Sequence, residues 1–182
     1  TIINYPIMRG KDNDQYLHSD INKKYSVSGS IFMDYRNSAD FSDFNTIIYG
    51  HHMHDGSMFK SLRGYTKETD YYKDHKTFEL ITPDKKYHLQ IISSYITPAT
   101  SDAYKYSFNN QADKQAFINY AIKNSKISTG ITATTNDKII TLSTCAYDYD
   151  EARYVVVCKA IPWTKEEIKA GKKLQAKLDK QK

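Results

Sequence analysis

Short apolar runs rich in β-branched and aromatic residues recur along the chain, separated by clusters of Asn, Asp, Ser and Gly. That pattern predicts strands more than long helices. Residues 1–8 read as an extended apolar segment, with Pro6 suggesting an edge position. Residues 29–35 (GSIFMDY) and 45–49 (NTIIY) read as strands, and so do 77–82 and 86–97, joined as a hairpin around Pro83-Asp84-Lys85. The stretch 137–161, DKIITLSTCAYDYDEARYVVVCKAI, carries two more. Ile139, Ile140, Thr141 and Leu142 make a buried-strand run that ends at Cys145, and a second run over 154–161 begins just after Arg153. A thiol and a guanidinium are thereby offered at one rim of a sheet, from neighbouring strand ends, with a loop leaving the rim open.

Helical spacing is rarer. Met58, Phe59, Leu62 and Tyr65 fall on one helical face, and 67–75 reads as another short helix. Asn110 caps a predicted helix over 110–126, with Asp113 in its first turn and Phe117, Tyr120, Ala121 and Ile122 on its apolar side. Pro162 stops the last strand, and Thr164 with Glu167 forms a capping box for a C-terminal helix. Ile168, Leu174 and Leu178 would dock that helix, whereas Gly171 and seven lysines predict a weak, partly frayed one. About eight strands with a few short helices, and no strand–helix–strand alternation, predict a mostly β fold: a closed or nearly closed β-barrel with peripheral helices. Residues 1–162 form the expected domain, and 163–182 a basic C-terminal helix or tail.

At 182 residues, 40% hydrophobic and 26% charged, the chain has the composition of one globular domain. Its 16 tyrosines favour strands and the half-buried walls of a binding groove. Of the net charge of +5, residues 164–182 hold +4, from seven lysines against Glu166, Glu167 and Asp179, which leaves +1 for the rest. With no nucleic-acid motif in the body, a nucleic-acid partner is not expected, and the basic tail reads as a solvated helix face or as a contact with an anionic cell surface. No run of about 18 apolar residues is present to span a membrane. The chain starts within what reads as a strand, so a targeting segment upstream of Thr1 is expected.

The chemistry-bearing residues are few. Thiols ionise with a pKa of about 8.5, so Cys145 needs a positive neighbour or a base to act as a nucleophile, and Arg153 is such a neighbour. On its own, Cys145 reads as a structural thiol more readily than as a catalytic one. Cys158, inside a strand, reads as buried and inert, and a bridge between the two is not expected. The turn GHHMHDG holds His51, His52 and His54, side chains suited to proton exchange or metal binding, or simply exposed in a turn. If the strand continued through the turn, His52 and His54 would share a face, but zinc would lack its third ligand. No metal is expected, since neither CxxC nor HExxH is present, and no cofactor, since no Gly-rich phosphate loop is. Arg153 has either a salt-bridge role beside Asp150 and Glu151 or an oxyanion- or substrate-binding one.

Three stretches taken together resemble the sortases, cysteine transpeptidases of Gram-positive cell surfaces: TLSTC at 141–145, Arg153 eight positions on in EARYVVV, and NTIIYGHHMHDGSMF at 45–59. The pairing of YGHHM-DGSMF with TLSTC, and the start NYPIMRGKDNDQYL followed by SGSIFMDYRN, resemble class B in particular. The resemblance covers residues 1–161. It implies an eight-stranded sortase-type barrel with a helix in a long inter-strand connection. It implies Cys145 as nucleophile, His51 as acid/base and Arg153 as stabiliser of substrate and oxyanion, with His52 and His54 as bystanders or groove-wall residues. Asn13, Leu17, Tyr49, Ser143 and Thr144 would line the substrate groove, and Tyr104, in the long connection 97–108, is a looser match.

The same resemblance implies a threonine-containing sorting signal of the NPxTx kind on secreted proteins, and an acceptor amine from the peptidoglycan cross-bridge. It also implies a place at the cell surface, held by an N-terminal membrane anchor upstream. A pilus-assembling enzyme using a pilin lysine is the nearer alternative, and a non-catalytic β-barrel peptide-binding module the more distant one. Two departures stand out. Ala146 follows the cysteine where class B members often carry an acidic or polar residue, and the tail after Pro162 is not part of the usual class B ending.

Overall fold

The computed structural model describes residues 3–146 and 148–179, with the side chains of 175–178 set aside. Seven strands form one sheet: β1 Ile7–Arg9, β2 Ile31–Met33, β3 Asn45–Tyr49, β4 Thr77–Ile81, β5 Lys86–Pro98, β6 Lys138–Cys145 and β7 Ala152–Pro162. Their order is β1-β2-β3-β6-β7-β5-β4, with β1/β2 and β3/β6 parallel and the other pairs antiparallel. The helices are α1 Gly64–Lys67, α2 Tyr71–Asp74, α3 Gln111–Asn124 and α4 Lys165–Asp179.

The expected mostly β architecture is present, as a sheet curled into a half-barrel that ends at β1 and β4. The described residues supply seven strands where eight were expected. The segment 126–137 is hydrogen-bonded to the flank of β5 by single bonds, Lys126 N–H to Ser94 O (2.7 Å) and Thr129 Oγ1 to Ile92 O (3.4 Å), and packs Ile131 and Ala133 onto the cluster around Ile92 and Tyr95 without forming a ladder. The curl has a visible source in β5, whose register with β7 shifts between Ile91 and Ser93. A bulge there raises the local twist, so one 13-residue strand serves β4 along its first half and β7 along nearly all its length.

Both faces of the central strands are covered, which is why IITL and YVVV read as continuous apolar runs. Inside the curl lie Ile31, Met33, Ile48, Leu89, Ile91, Ile140, Leu142, Val156 and Cys158. On the other face, Ile139, Val155, Val157, Ile92 and Tyr95 pack under Phe117 and Ala121 of α3. Asn110 caps α3 by accepting from Asp113 N–H (2.9 Å). The helix buries Phe117, Ile118 and Ala121, and Ile122, expected on the apolar side, is 45% exposed.

Several boundaries differ from the pattern. β1 and β2 each keep three residues in the ladder, and Thr1 and Ile2 of the first expected strand lie outside the described residues. The expected helix over 67–75 shrinks to α2, because Asp70 adopts a left-handed conformation (φ 69°) between the end of α1 at Lys67 and Tyr71. The capping box of α4 forms in both directions: Thr164 N–H to Glu167 Oε2 (2.7 Å) and Glu167 N–H to Thr164 Oγ1 (3.2 Å). Ile168 and Leu174 are exposed, so α4 is held by its first turn, where Glu167 meets His88 (3.0 Å) and Trp163 stacks on His88. Docking by Leu178 lies outside the described side chains.

Candidate active site

Register assembles the site. β3 and β6 run parallel with Tyr49 opposite Ser143, so their C-terminal ends reach the same rim, where His51 and Cys145 follow. β7 runs back antiparallel with Arg153 directly opposite Cys145. Side chains alternate across a strand. Cys145, Ser143, Tyr49 and Arg153 therefore share the face that carries Ile139 and Val155, and Cys158 takes the opposite face with Ile140. The two cysteines are separate free thiols. Burial pushes the Cys158 thiol up, while Cys145 is half-exposed at the rim.

Beyond the cover of α3 this face opens into a cleft of about 440 Å³. All nine residues expected from the sequence line it: Cys145, His51, Arg153, Asn13, Leu17, Tyr49, Tyr104, Ser143 and Thr144. Asp14, His18, Phe32, Arg36, Gly50 and Ala99 line it as well.

The approach of the 13–18 segment to the rim needs a glycine. Gly29 sits at φ 54°, and a Cβ there would lie 2.3 Å from Leu17 O. The close contact leaves Leu17 O facing His51, whose Nε2 lies 2.6 Å away. A carbonyl only accepts, so Nε2 carries the hydrogen, and Nδ1 is the ring nitrogen left for proton exchange. The His18 ring lies 5.6 Å from that of His51. His52 turns the other way: its Nδ1 lies 2.9 Å from Cys145 O, and its ring lies 5.8 Å from that of Tyr154. His54 is exposed at the turn. The shared face imagined for His52 and His54 fails because the chain leaves the strand at Gly50, where a Cβ would meet Ile31 Cδ1 at 2.4 Å. Among the described residues, no group of three or more His, Cys, Asp or Glu is gathered as a metal site.

Arg153 donates from Nη1 to Ala152 O (2.9 Å) and from Nη2 to Glu151 Oε2 (3.0 Å). Glu151 is exposed, so the guanidinium is held beside the thiol by a partner that water can replace. The loop from β6 to β7 is tied down by Asp148, which accepts from Tyr154 OH (2.8 Å) and pairs with Lys67 at the end of α1.

The groove wall is organised by Asp34, a residue the sequence reading missed. Its side chain is fully buried. Oδ2 accepts from Asn13 Nδ2 (3.1 Å), Tyr49 OH (2.9 Å) and Arg36 Nη2 (2.7 Å), and Oδ1 accepts from Arg36 Nε (2.8 Å) and N–H (3.0 Å). Burial acts to raise the Asp34 pKa, but these donors outweigh it and hold the carboxyl below its ordinary value. Burial and the Asp34 charge push the Tyr49 phenol up. Tyr104 stacks on Tyr49 (6.2 Å between centroids, 11° between planes) and shares a hydrogen bond with Ser143 (2.8 Å). Burial pushes Tyr104 up to about 12, so both phenols are neutral hydrogen-bonding groups at neutral pH. A visible signal for the hub existed: an Asp closing an apolar strand, with an Arg two residues on, reads as a buried pair on one side of an extended chain.

A family model described as the Sortase domain matches residues 1–161. The sortases B of Staphylococcus aureus (strain NCTC 8325 / PS 47) and Listeria monocytogenes (serovar 1/2a) are 40% and 39% identical over 163 and 165 residues. Each alignment takes in 88% of this chain and 66% of the relative, so the chain spans just under two thirds of those relatives' length. A solved S. aureus sortase B–substrate complex superposes with a TM-score of 0.82 at 39% identity, covering 88% of this chain and 75% of that one. Clostridium perfringens sortase B gives 0.81 at 37%, covering 88% of both chains. A sortase B complexed with triglycine gives 0.82 at 39%, covering 88% of this chain and 76% of that one.

Proposed function

Because the chain belongs to the sortase family, we propose that it is a cysteine transpeptidase with Cys145 as nucleophile, His51 as acid/base and Arg153 as oxyanion stabiliser. The observation that supports this most directly is the register that sets Cys145 opposite Arg153, with His51 at the end of the parallel neighbour strand, in one cleft. In the first half-reaction Cys145 Sγ adds to the threonine carbonyl carbon of a sorting signal of the NPxTx kind. The oxyanion draws on the Arg153 guanidinium. Ala146 N–H is bonded to Ala152 O (2.9 Å), so this amide is already committed. The C–N bond breaks as the His51 imidazolium protonates the leaving amine, which leaves a thioacyl-enzyme and a neutral ring. In the second half-reaction an acceptor amine attacks the thioester, gives its proton to His51 and expels the thiolate.

Asn13, Leu17, Tyr49, Tyr104, Ser143 and Thr144 hold the signal along the wall, with Asn13 and Tyr49 set in place by Asp34, which takes the Tyr49 hydroxyl hydrogen. The partners are secreted proteins bearing the signal and the cross-bridge amine of peptidoglycan, with the enzyme held at the cell surface. An oligoglycine amine is the acceptor to try first, given the triglycine complex of the related sortase B. The test is cleavage of a quenched peptide library with and without triglycine. Triglycine should accelerate turnover and become joined to the threonine, and Cys145→Ala should abolish both. Full cleavage by Cys145→Ala would refute the assignment.

A further inference from the structure

In the turn that follows β3, the transpeptidation steps give no task to the imidazole of His52. The parallel ladder between β3 and β6 places a last backbone rung at Gly50 N–H to Ser143 O (3.1 Å). In a parallel pair, rungs from one strand recur every two residues, so the next would run from residue 52 to Cys145 O. The chain has already turned away there, and His52 Nδ1 takes that place at 2.9 Å from Cys145 O. The carbonyl only accepts, so Nδ1 carries the hydrogen and donates whether the ring is neutral or charged. Burial, with Lys60 and Arg63 nearby, disfavours the charged ring.

The peptide bond after the nucleophile is thus gripped from both sides, by His52 at its carbonyl and by Ala152 O at its Ala146 N–H. His52 is covalently next to His51. A bond from His52 to the main chain of the nucleophile therefore ties the β3 turn to the end of β6. The turn has backbone closures of its own, Phe59 N–H to His51 O (3.0 Å) and Gly56 N–H to Met53 O (3.2 Å), so its shape does not depend on the imidazole.

We propose that His52 is a positioning residue: by donating Nδ1–H to the carbonyl of Cys145, it fixes the spacing between the Cys145 thiol and the His51 ring. The proposal rests on the assignment of those two groups as nucleophile and acid/base. Misplacing a reacting pair by about 1 Å costs up to about 100-fold in rate.

The test compares the full chain with His52→Ala, His52→Asn and His52→Gln. Asn Nδ2 is attached at the same position along the side chain as His Nδ1, and Gln carries its amide one carbon further out. With a quenched Asn-Pro-x-Thr peptide, His52→Ala and His52→Gln should lose about 10- to 100-fold in kcat with KM within about threefold. His52→Asn should recover to within about threefold of the parent. Melting temperatures recorded beside the kinetics separate a folding defect from misplacement. A kcat for His52→Ala within about twofold of the parent overturns the proposal, and so does an Asn variant as slow as the Ala variant at equal thermal stability. If the parent cleaves no peptide, the transpeptidase reading fails separately. Iodoacetamide labelling of Cys145 then decides the matter: a rate changed by Ala and restored by Asn supports the tie to the thiol, and an unchanged rate overturns it.

Discussion

Replacing Asp34 with alanine removes five hydrogen-bond acceptances at once, two of them from the Arg36 guanidinium. Removing one partner of a buried ion pair costs about 3–5 kcal/mol, mostly from the charge left behind. Arg36 is 33% exposed and its guanidinium lies 4.0 Å from the Tyr106 ring centroid, so it can rehydrate without leaving its site. That favours the lower end, about 3 kcal/mol, which for a domain of this size is a fall in Tm of about 6–12 °C. Asp34→Asn keeps the shape but turns an NH₂ towards donors, and should fall between. The pH dependence follows from the direction of the shift. The carboxyl is held below its unfolded value, so its stabilisation is complete above an unfolded pKa of about 3.9 and is lost as pH falls through the lower folded value. Thermal melts of the parent and Asp34→Asn at about pH 7 and about pH 3 should show a gap that closes on acidification. The same variants should raise KM for the peptide more than they lower kcat, because Asn13 and Tyr49 lose their holder. A melt of Asp34→Ala within about 2 °C of the parent at neutral pH would show that these five hydrogen bonds do not carry the stability assigned to them.

Glu151→Gln removes an exposed counter-charge from Arg153, a pair worth about 0.2–1 kcal/mol, so kcat/KM should rise by up to about fivefold while Tm falls by no more than about 4 °C. A loss of activity would mean that Glu151 orients the guanidinium. Ending the chain after Trp163 removes α4, whose solvent-exposed Glu167–His88 contact contributes little to stability. Thermal stability should then fall by no more than about 4 °C and peptide cleavage should persist; aggregation of the shortened chain would show that α4 covers something the fold requires.

The central strands were legible because both their faces are buried, so apolar runs and strand ends coincide at β6 and β7. Cys145, Arg153 and His51 were legible because each sits within a short local motif. The three histidines were not separable by pattern. Alternation assumes that the strand continues, whereas Gly50 ends it and sends His51 and His52 to opposite sides of the rim. Asp34 stayed hidden for a related reason: two of its donors, Asn13 and Tyr49, lie 21 and 15 residues away in sequence, and only folding brings them to one oxygen. The broken helix at Asp70 depends on a single left-handed residue, which helical spacing averages over.

The parallel pairing of β3 with β6 also has a consequence for how the protein comes into being. β6 and β7 fill the middle of the sheet yet are its last strands along the chain. The bond from His52 to Cys145 spans 93 residues, and closing a loop of that length costs about 4 kcal/mol from its length-dependent entropy alone. A chain emerging in order of synthesis presents the histidine turn and the edge strands long before there is a centre for them to pair with. Cys145 meets His51 only when the sheet closes around its final two strands. On the proposed assignment, acyl-transfer competence arrives together with the completed fold, and a partly folded chain carries a cysteine without the means to use it.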